Sequence, residues 1–146
     1  MTEVLIKRLS KNIELPKYET NGSSGMDLSA NIETQIKIEP GKTSIIPTGI
    51  SVSIPKNFEI QIRSRSGLAA KSQISVLNSP GTIDADYRGE LKVILINLSN
   101  KTFVVERGAR IAQMVLCPIV KAKFKEVDSL DDTDRGDGGF GSTGLK

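Results

Sequence analysis

The chain has 146 residues, of which 38% are hydrophobic and 25% charged, a balance that suits one folded domain with a real core and leaves no room for two ordinary ones. Its 20 Lys and Arg against 17 Asp and Glu give a net charge of only +3, too weak a field to gather nucleic acid, and the few aromatic residues do not interleave with basic clusters as a base-stacking surface requires. With 0 His, catalysis by a serine–histidine or cysteine–histidine pair, histidine-ligated metal and a histidine general base are all excluded, so acid–base chemistry falls to carboxylates.

From the N-terminus, residues 1–17 carry Glu3, Lys7, Arg8, Lys11 and Glu14, which would interrupt a signal-peptide apolar segment. Residues 4–6 and 35–38 read as β-type runs. The longest uncharged run, 43–55, is too short and too polar to span a bilayer. Within it Ile50, Val52 and Ile54 alternate with Ser51 and Ser53, and next Phe58, Ile60 and Ile62 alternate with Glu59, Gln61 and Arg63. A period of two marks half-buried strands. A helical turn is expected over 66–71, directly after Arg65, and further strands over 74–77, 91–98, 103–105 and 111–120. Pro40-Gly41, Pro55-Lys56-Asn57, Pro80-Gly81, Asn100 and Gly108 supply the turns. The pattern is all-β. The lone Cys117 lies in the last apolar run, which suggests a buried structural thiol, and a chain without a disulfide fits a reducing, cytoplasmic compartment with no membrane partner.

From Asp128 the composition changes to acidic residues and glycines with almost nothing to bury, as in a mobile tail. Gly139-Phe140-Gly141-Ser142-Thr143-Gly144 satisfies G-x-G-x-x-G, yet no strand leads in and no helix follows, which excludes a Rossmann site. Leu145 and Lys146 occupy the positions where a Walker A motif needs its lysine and hydroxyl. What remains is a glycine-rich segment whose N–H groups and Arg135 could gather around an anion.

Four other segments are richer than structure alone requires. Gly25-Met26-Asp27-Leu28 sets a carboxylate between apolar residues, as a capped turn or a functional acid would. Arg65-Ser66-Gly67 offers a guanidinium, a hydroxyl and N–H groups where a helix opens, which suits either a solvated turn or a phosphate grip. Residues 83–90 pack three acids and one base around Tyr87, and taken alone they read most simply as a charged hairpin. Arg110 and Gln113 interrupt an apolar strand, as an edge strand with outward polar residues also would.

In this order the segments resemble the five motifs of the trimeric deoxyuridine triphosphate nucleotidohydrolases, the dUTPases. Motif one is Ser24-Gly25-Met26-Asp27-Leu28, motif two Arg65-Ser66-Gly67-Leu68-Ala69, and motif three Gly81-Thr82-Ile83-Asp84-Ala85-Asp86-Tyr87-Arg88-Gly89. Motif four is Arg110-Ile111-Ala112-Gln113, and motif five runs from Arg135 to Gly144. The likeness covers residues 24–144. One departure is Ser64, where the family usually has proline, a change expected to loosen the turn.

The resemblance implies a jelly-roll-like β-sandwich with one short helix, assembled as a homotrimer whose active sites are built from all three chains. The sandwich would occupy residues 1–127, and a flexible arm, 128–146, would close over a neighbour's site. The implied reaction is hydrolysis of dUTP to dUMP and pyrophosphate, which limits uracil in DNA and supplies dUMP for thymidylate synthesis. In the family the acid at the Asp84 position is the general base for the attacking water. Arg65, Ser66 and Gly67 would grip the α/β-phosphates and Gln113 would bond a phosphate. Arg135, Gly141, Ser142 and Thr143 would clamp the γ-phosphate while Phe140 stacks on uracil. Asn78, Gly81 and Ile83 would read the base edge, and Tyr87 would exclude a ribose hydroxyl. Mg²⁺ would sit on the phosphates, with Asp27 holding one of its waters. A dCTP deaminase of the same fold and a non-catalytic nucleotide-binding trimer are the alternatives; the deaminating glutamate with its serine and arginine motif is not recognisable.

Overall fold

The structure, a computed structural model, describes residues 2–140. Eleven strands and one helix make up the described chain: β1 (Leu5–Arg8), β2 (Met26–Ser29), β3 (Ile36–Ile38), β4 (Thr43–Pro47), β5 (Ile50–Ser53), β6 (Phe58–Arg63), α1 (Ser66–Ser72), β7 (Ile74–Val76), β8 (Gly81–Ile83), β9 (Lys92–Asn97), β10 (Phe103–Val105) and β11 (Arg110–Pro118). They pair antiparallel into a four-stranded sheet, β2-β11-β6-β8, a three-stranded sheet, β4-β9-β7, and the ribbons β1-β5 and β3-β10. Side chains from every one of these except β1 meet in one core, among them Leu28, Ile38, Ile46, Ile60, Leu95 and Ile111. This is the all-β sandwich with one short helix that the resemblance implies. Among the described residues no helix is long and apolar enough to cross a membrane.

The alternating runs became strands because one face of each is buried. In β6, Ile60 and Ile62 are buried while Glu59, Gln61 and Arg63 are not. Three strands carry no such signal and were not expected: β2 is dominated by Asp27, β4 holds a proline, and β8 is only three residues long. Their pairing partners, β11, β9 and β6, hold them in place instead. The residues between β8 and β9 form no hairpin; they fold into a self-bonded turn in which Tyr87 N–H donates to the Asp84 carbonyl at 3.1 Å.

Two further expectations are corrected. β11 lies between β2 and β6, so the polar residues inside it do not mark an edge. Cys117 is half-buried, with an Arg63 guanidinium nitrogen 3.6 Å from its sulfur. The turn at Ser64 carries hydrogen bonds of its own. Its hydroxyl accepts the Val76 N–H at 2.9 Å and pairs with the Ser75 hydroxyl at 2.9 Å, tying the end of β6 to β7 in a way proline could not.

Beyond Pro118 no described residue enters a strand, and residues 120–137 are exposed throughout, Val120, Phe124 and Leu130 among them. The Ser79–Pro80 peptide bond, in the turn between β7 and β8, is cis.

Candidate active site

Strand register gathers the first part of the site. Asp27 of β2 faces Gln113 of β11, which in turn faces Arg63 of β6, and residues directly opposite across a sheet share one face. Leu28, beside Asp27, is buried at 1% exposure, so the carboxylate points away from the core. Gln113 and Arg110 are three apart, and in a regular strand an odd spacing would send them to opposite faces. A bulge between Arg110 and Ala112 resolves this: Ile111 and Ala112 are both buried, and Arg110 is returned to the side of Asp27.

Arg65 completes the cluster. It precedes α1 in extended conformation, without a side-chain cap of the helix, and its guanidinium turns back to the sheet instead. Arg65 Nε donates to Asp27 Oδ1 at 2.9 Å and Arg65 Nη1 to the Arg110 carbonyl at 3.2 Å. Arg110 Nη1 donates to Asp27 Oδ2 at 3.1 Å. One half-buried carboxylate therefore holds two arginines, and charge-assisted bonds of this kind are the strong ones. Gln113 Nε2 donates to the Ser64 carbonyl at 3.0 Å, which ties motif four to the entrance of motif two. Gly25 makes room for it: a Cβ there would lie 2.7 Å from Gln113 Oε1 and 3.2 Å from the Met114 carbonyl. Ser66 and Gly67 stand exposed in the first turn of α1, where helical N–H groups have no intrahelical acceptor.

Motif three lies elsewhere. Ile83 pairs with Ile60, near the start of β6, whereas Arg65 follows its end. Asp84 and Tyr87 are exposed. Tyr87 Oη donates to the Glu90 carbonyl at 3.0 Å, and its ring lies over Gly89, where a Cβ would approach ring carbon Cζ to 2.6 Å. Arg88 Nη1 donates to the carbonyls of Ala85 and Tyr87 at 2.7 and 2.9 Å. The turn is anchored behind by Glu90, whose carboxylate accepts the Gly49 N–H at 2.9 Å. Asn78 and Gly81 sit together in the β7–β8 connection, the Asn78 amide nitrogen 3.4 Å from the Cβ position of Gly81. A cleft of about 280 Å³ between residues 12–19 and β2 has Asp27 and Arg110 in its wall but none of motif three.

In the arm, Arg135 Nε donates to the Gly138 carbonyl at 2.9 Å and Phe140 is fully exposed. Gly141, Ser142 and Thr143 lie outside the described residues. Of the sites read from sequence, Asp27, Arg65, Ser66, Gly67 and Gln113 are brought together, Asn78, Gly81, Ile83, Asp84 and Tyr87 form a second group, and Arg135 and Phe140 stand apart from both. Arg110 was not among the expected site residues; the signal that could have found it is the polar pair at odd spacing within an apolar strand.

The chain matches the dUTPase family over residues 11–144. A deoxyuridine 5'-triphosphate nucleotidohydrolase of Rickettsia bellii (strain OSU 85-389) is 56% identical to it over 146 residues, 99% of this chain and 97% of the relative. The enzyme of the same name from Fusobacterium nucleatum subsp. nucleatum is 52% identical over 145 residues, 99% of each chain. Among solved structures, a mutant dUTPase of Staphylococcus bacteriophage 80alpha with dUpNHpp is similar at a TM-score of 0.89 and 26% identity, covering 99% of this chain and 100% of that one. A second structure of the phage dUTPase with dUpNHpp gives 0.86 and 28%, with the same coverage. With all five motifs inside the matched span and the fold shared from end to end, the chain belongs to the dUTPase family.

Proposed function

We propose that this chain hydrolyses dUTP to dUMP and pyrophosphate in active sites shared between the subunits of a homotrimer. One observation carries the shared-site reading: motifs one, two and four meet at the Asp27 carboxylate, while motif three pairs with Ile60–Ile62 in the middle of β6 and leads its exposed Asp84 away from them. Ile60, the partner of Ile83, lies five residues before Arg65, roughly 16 Å of extended backbone, and because β8 runs antiparallel to β6 the chain carries Asp84 further from Arg65. A second copy of the chain supplies the missing group. The sandwich, residues 1–127, would form the body of the trimer and the arm, 128–146, would lie over a neighbouring site.

Arg65, with Ser66 and Gly67, binds the α/β-phosphate region, and Gln113 donates to a phosphate oxygen. Asp84 orients a water in line with the α-phosphorus and takes its proton as the new O–P bond forms; the bond from the α-phosphorus to the bridging oxygen breaks and pyrophosphate leaves. Arg135, Gly141, Ser142 and Thr143 hold the γ-phosphate and Phe140 covers the uracil. The main chain around Asn78, Gly81 and Ile83 reads the uracil edge, and Tyr87, packed on Gly89, blocks a 2′-hydroxyl.

The donor set fits Mg²⁺ brought by the triphosphate. Among the described residues no three acids, cysteines or histidines gather into a cage for an ion, and the Asp27 carboxylate, with one guanidinium bond to each oxygen, keeps lone pairs for a metal-bound water. Bound there, the ion would neutralise phosphate charge and stabilise the leaving pyrophosphate.

The test is incubation of the protein with dUTP and Mg²⁺ while pyrophosphate and dUMP are assayed. Equal amounts of both are expected. Ammonia released from dCTP would identify a deaminase instead, and the absence of product from either nucleotide would leave a non-catalytic nucleotide-binding protein.

A further inference from the structure

We infer that Arg110 is a positioning residue for substrate binding: through Asp27 it fixes the guanidinium of Arg65 in the direction from which the phosphates are gripped. The inference rests on the phosphate-binding role proposed for Arg65. Three contacts carry it. Arg110 Nη1 holds Asp27 Oδ2, Asp27 Oδ1 holds Arg65 Nε, and the Arg110 carbonyl takes one N–H of Arg65 Nη1. Arg65 thus spends Nε–H and one N–H of Nη1 on protein acceptors, and the second N–H of Nη1 with both of Nη2 is left for a ligand. A flexible arginine would have to be ordered by each arriving triphosphate, whereas here the ordering is done before binding.

Charge points the same way. Asp27 with Arg65 alone would be a neutral pair, with little attraction for a polyanion. The second guanidinium leaves the trio with one net positive charge while keeping the carboxylate occupied. The bulge in β11 is what allows Arg110 to reach this side at all. Its side chain is 53% exposed, so removing it opens no core cavity.

The experiment compares wild type with Arg110→Gln, Arg110→Lys, Asp27→Asn and the double variant Asp27→Asn/Arg110→Gln, reading kcat and KM for dUTP hydrolysis and the affinity for dUpNHpp. Thermal unfolding establishes that each variant is folded. Arg110→Gln should raise KM and weaken dUpNHpp binding by about tenfold, with kcat changed by less than about threefold, since the group does not touch the reacting atoms. Arg110→Lys should recover part of the loss, because one N–H to Oδ2 survives. In the Asp27→Asn background Arg110→Gln should add little, as expected of two residues acting in series. The same loss in both backgrounds would mean that Arg110 contacts the nucleotide itself, and an unchanged KM in Arg110→Gln would overturn the inference outright. If wild type failed to release pyrophosphate from dUTP, the proposed function would fall instead, before any variant was compared.

Discussion

The two halves of the site are finished to different degrees. Around Asp27 the groups are bonded to one another, with half-buried Arg65 and exposed Arg110 on one half-buried carboxylate and Gln113 on the Ser64 carbonyl. Around Asp84 the turn is equally well closed on itself, yet its acid and its tyrosine face outward. On the proposed function the first half receives phosphate within one chain. The second is an outward-facing tool that has no counterpart on its own sheet. If the sites are shared between chains as proposed, each subunit would hold half of the apparatus, and assembly would bring the halves together.

The strongest blow to the outward half is Asp84→Asn. We expect turnover to fall by about a thousandfold with dUpNHpp binding retained, because only proton abstraction and water orientation are removed. Isothermal titration beside a pyrophosphate assay separates the two; an equal loss of binding would mark Asp84 as a structural or metal-holding acid. The same variant sharpens the comparison when unfolded and refolded with Arg65→Ala. Each is inactive alone, but in a random mixture about a quarter of shared sites should hold an intact Asp84 and an intact Arg65 from different chains. Sites confined to one chain would recover nothing.

Deleting residues 135–146 should cost on the order of a hundredfold in kcat/KM, as expected for loss of positioning groups, and leave the mass of the assembly by light scattering unchanged, since among the described residues none of 135–140 belongs to the core. A smaller effect is expected from Tyr87→Ala, which should raise UTP cleavage relative to dUTP by about tenfold, within the range that one lost steric contact allows; dCTP and dTTP should stay poor substrates in competition assays. Smallest is Ser64→Ala, which strips the Val76 N–H of its acceptor. The midpoint of denaturant unfolding should report a loss of about 1–2 kcal/mol with little change in KM.

Most strands were legible because burial of one face writes a period of two into residues such as Phe58, Ile60 and Ile62. β2, β4 and β8 were not, since short strands with a functional acid or a proline owe their conformation to neighbours rather than to their own residues. Arg65, Ser66, Gly67, Gln113, Asp27 and the motif-three residues were legible as members of a recurring pattern. The role of Arg110 was not, because it depends on a bulge, and a bulge is visible in sequence only as a broken alternation. Ser64 misled for a related reason: compared with proline it promises flexibility, and only the facing Ser75 and the Val76 N–H show that its hydroxyl has a fixed place.

Gly25 has a consequence for how this gene would behave under mutation. The space above its Cα is filled by the Gln113 amide, which rests on the Ser64 carbonyl, so a single added methyl displaces the proposed phosphate donor without meeting any nucleotide. The closest approach is to the outer end of a movable side chain, with Val115 Cγ2 and the Met114 carbonyl next at 3.1 and 3.2 Å, and the mutant protein should remain folded and abundant. A screen for null alleles should therefore recover Gly25→Ala as an inactive protein of normal yield, and a designer grafting this pocket onto another scaffold must carry over an empty position together with the side chains around it.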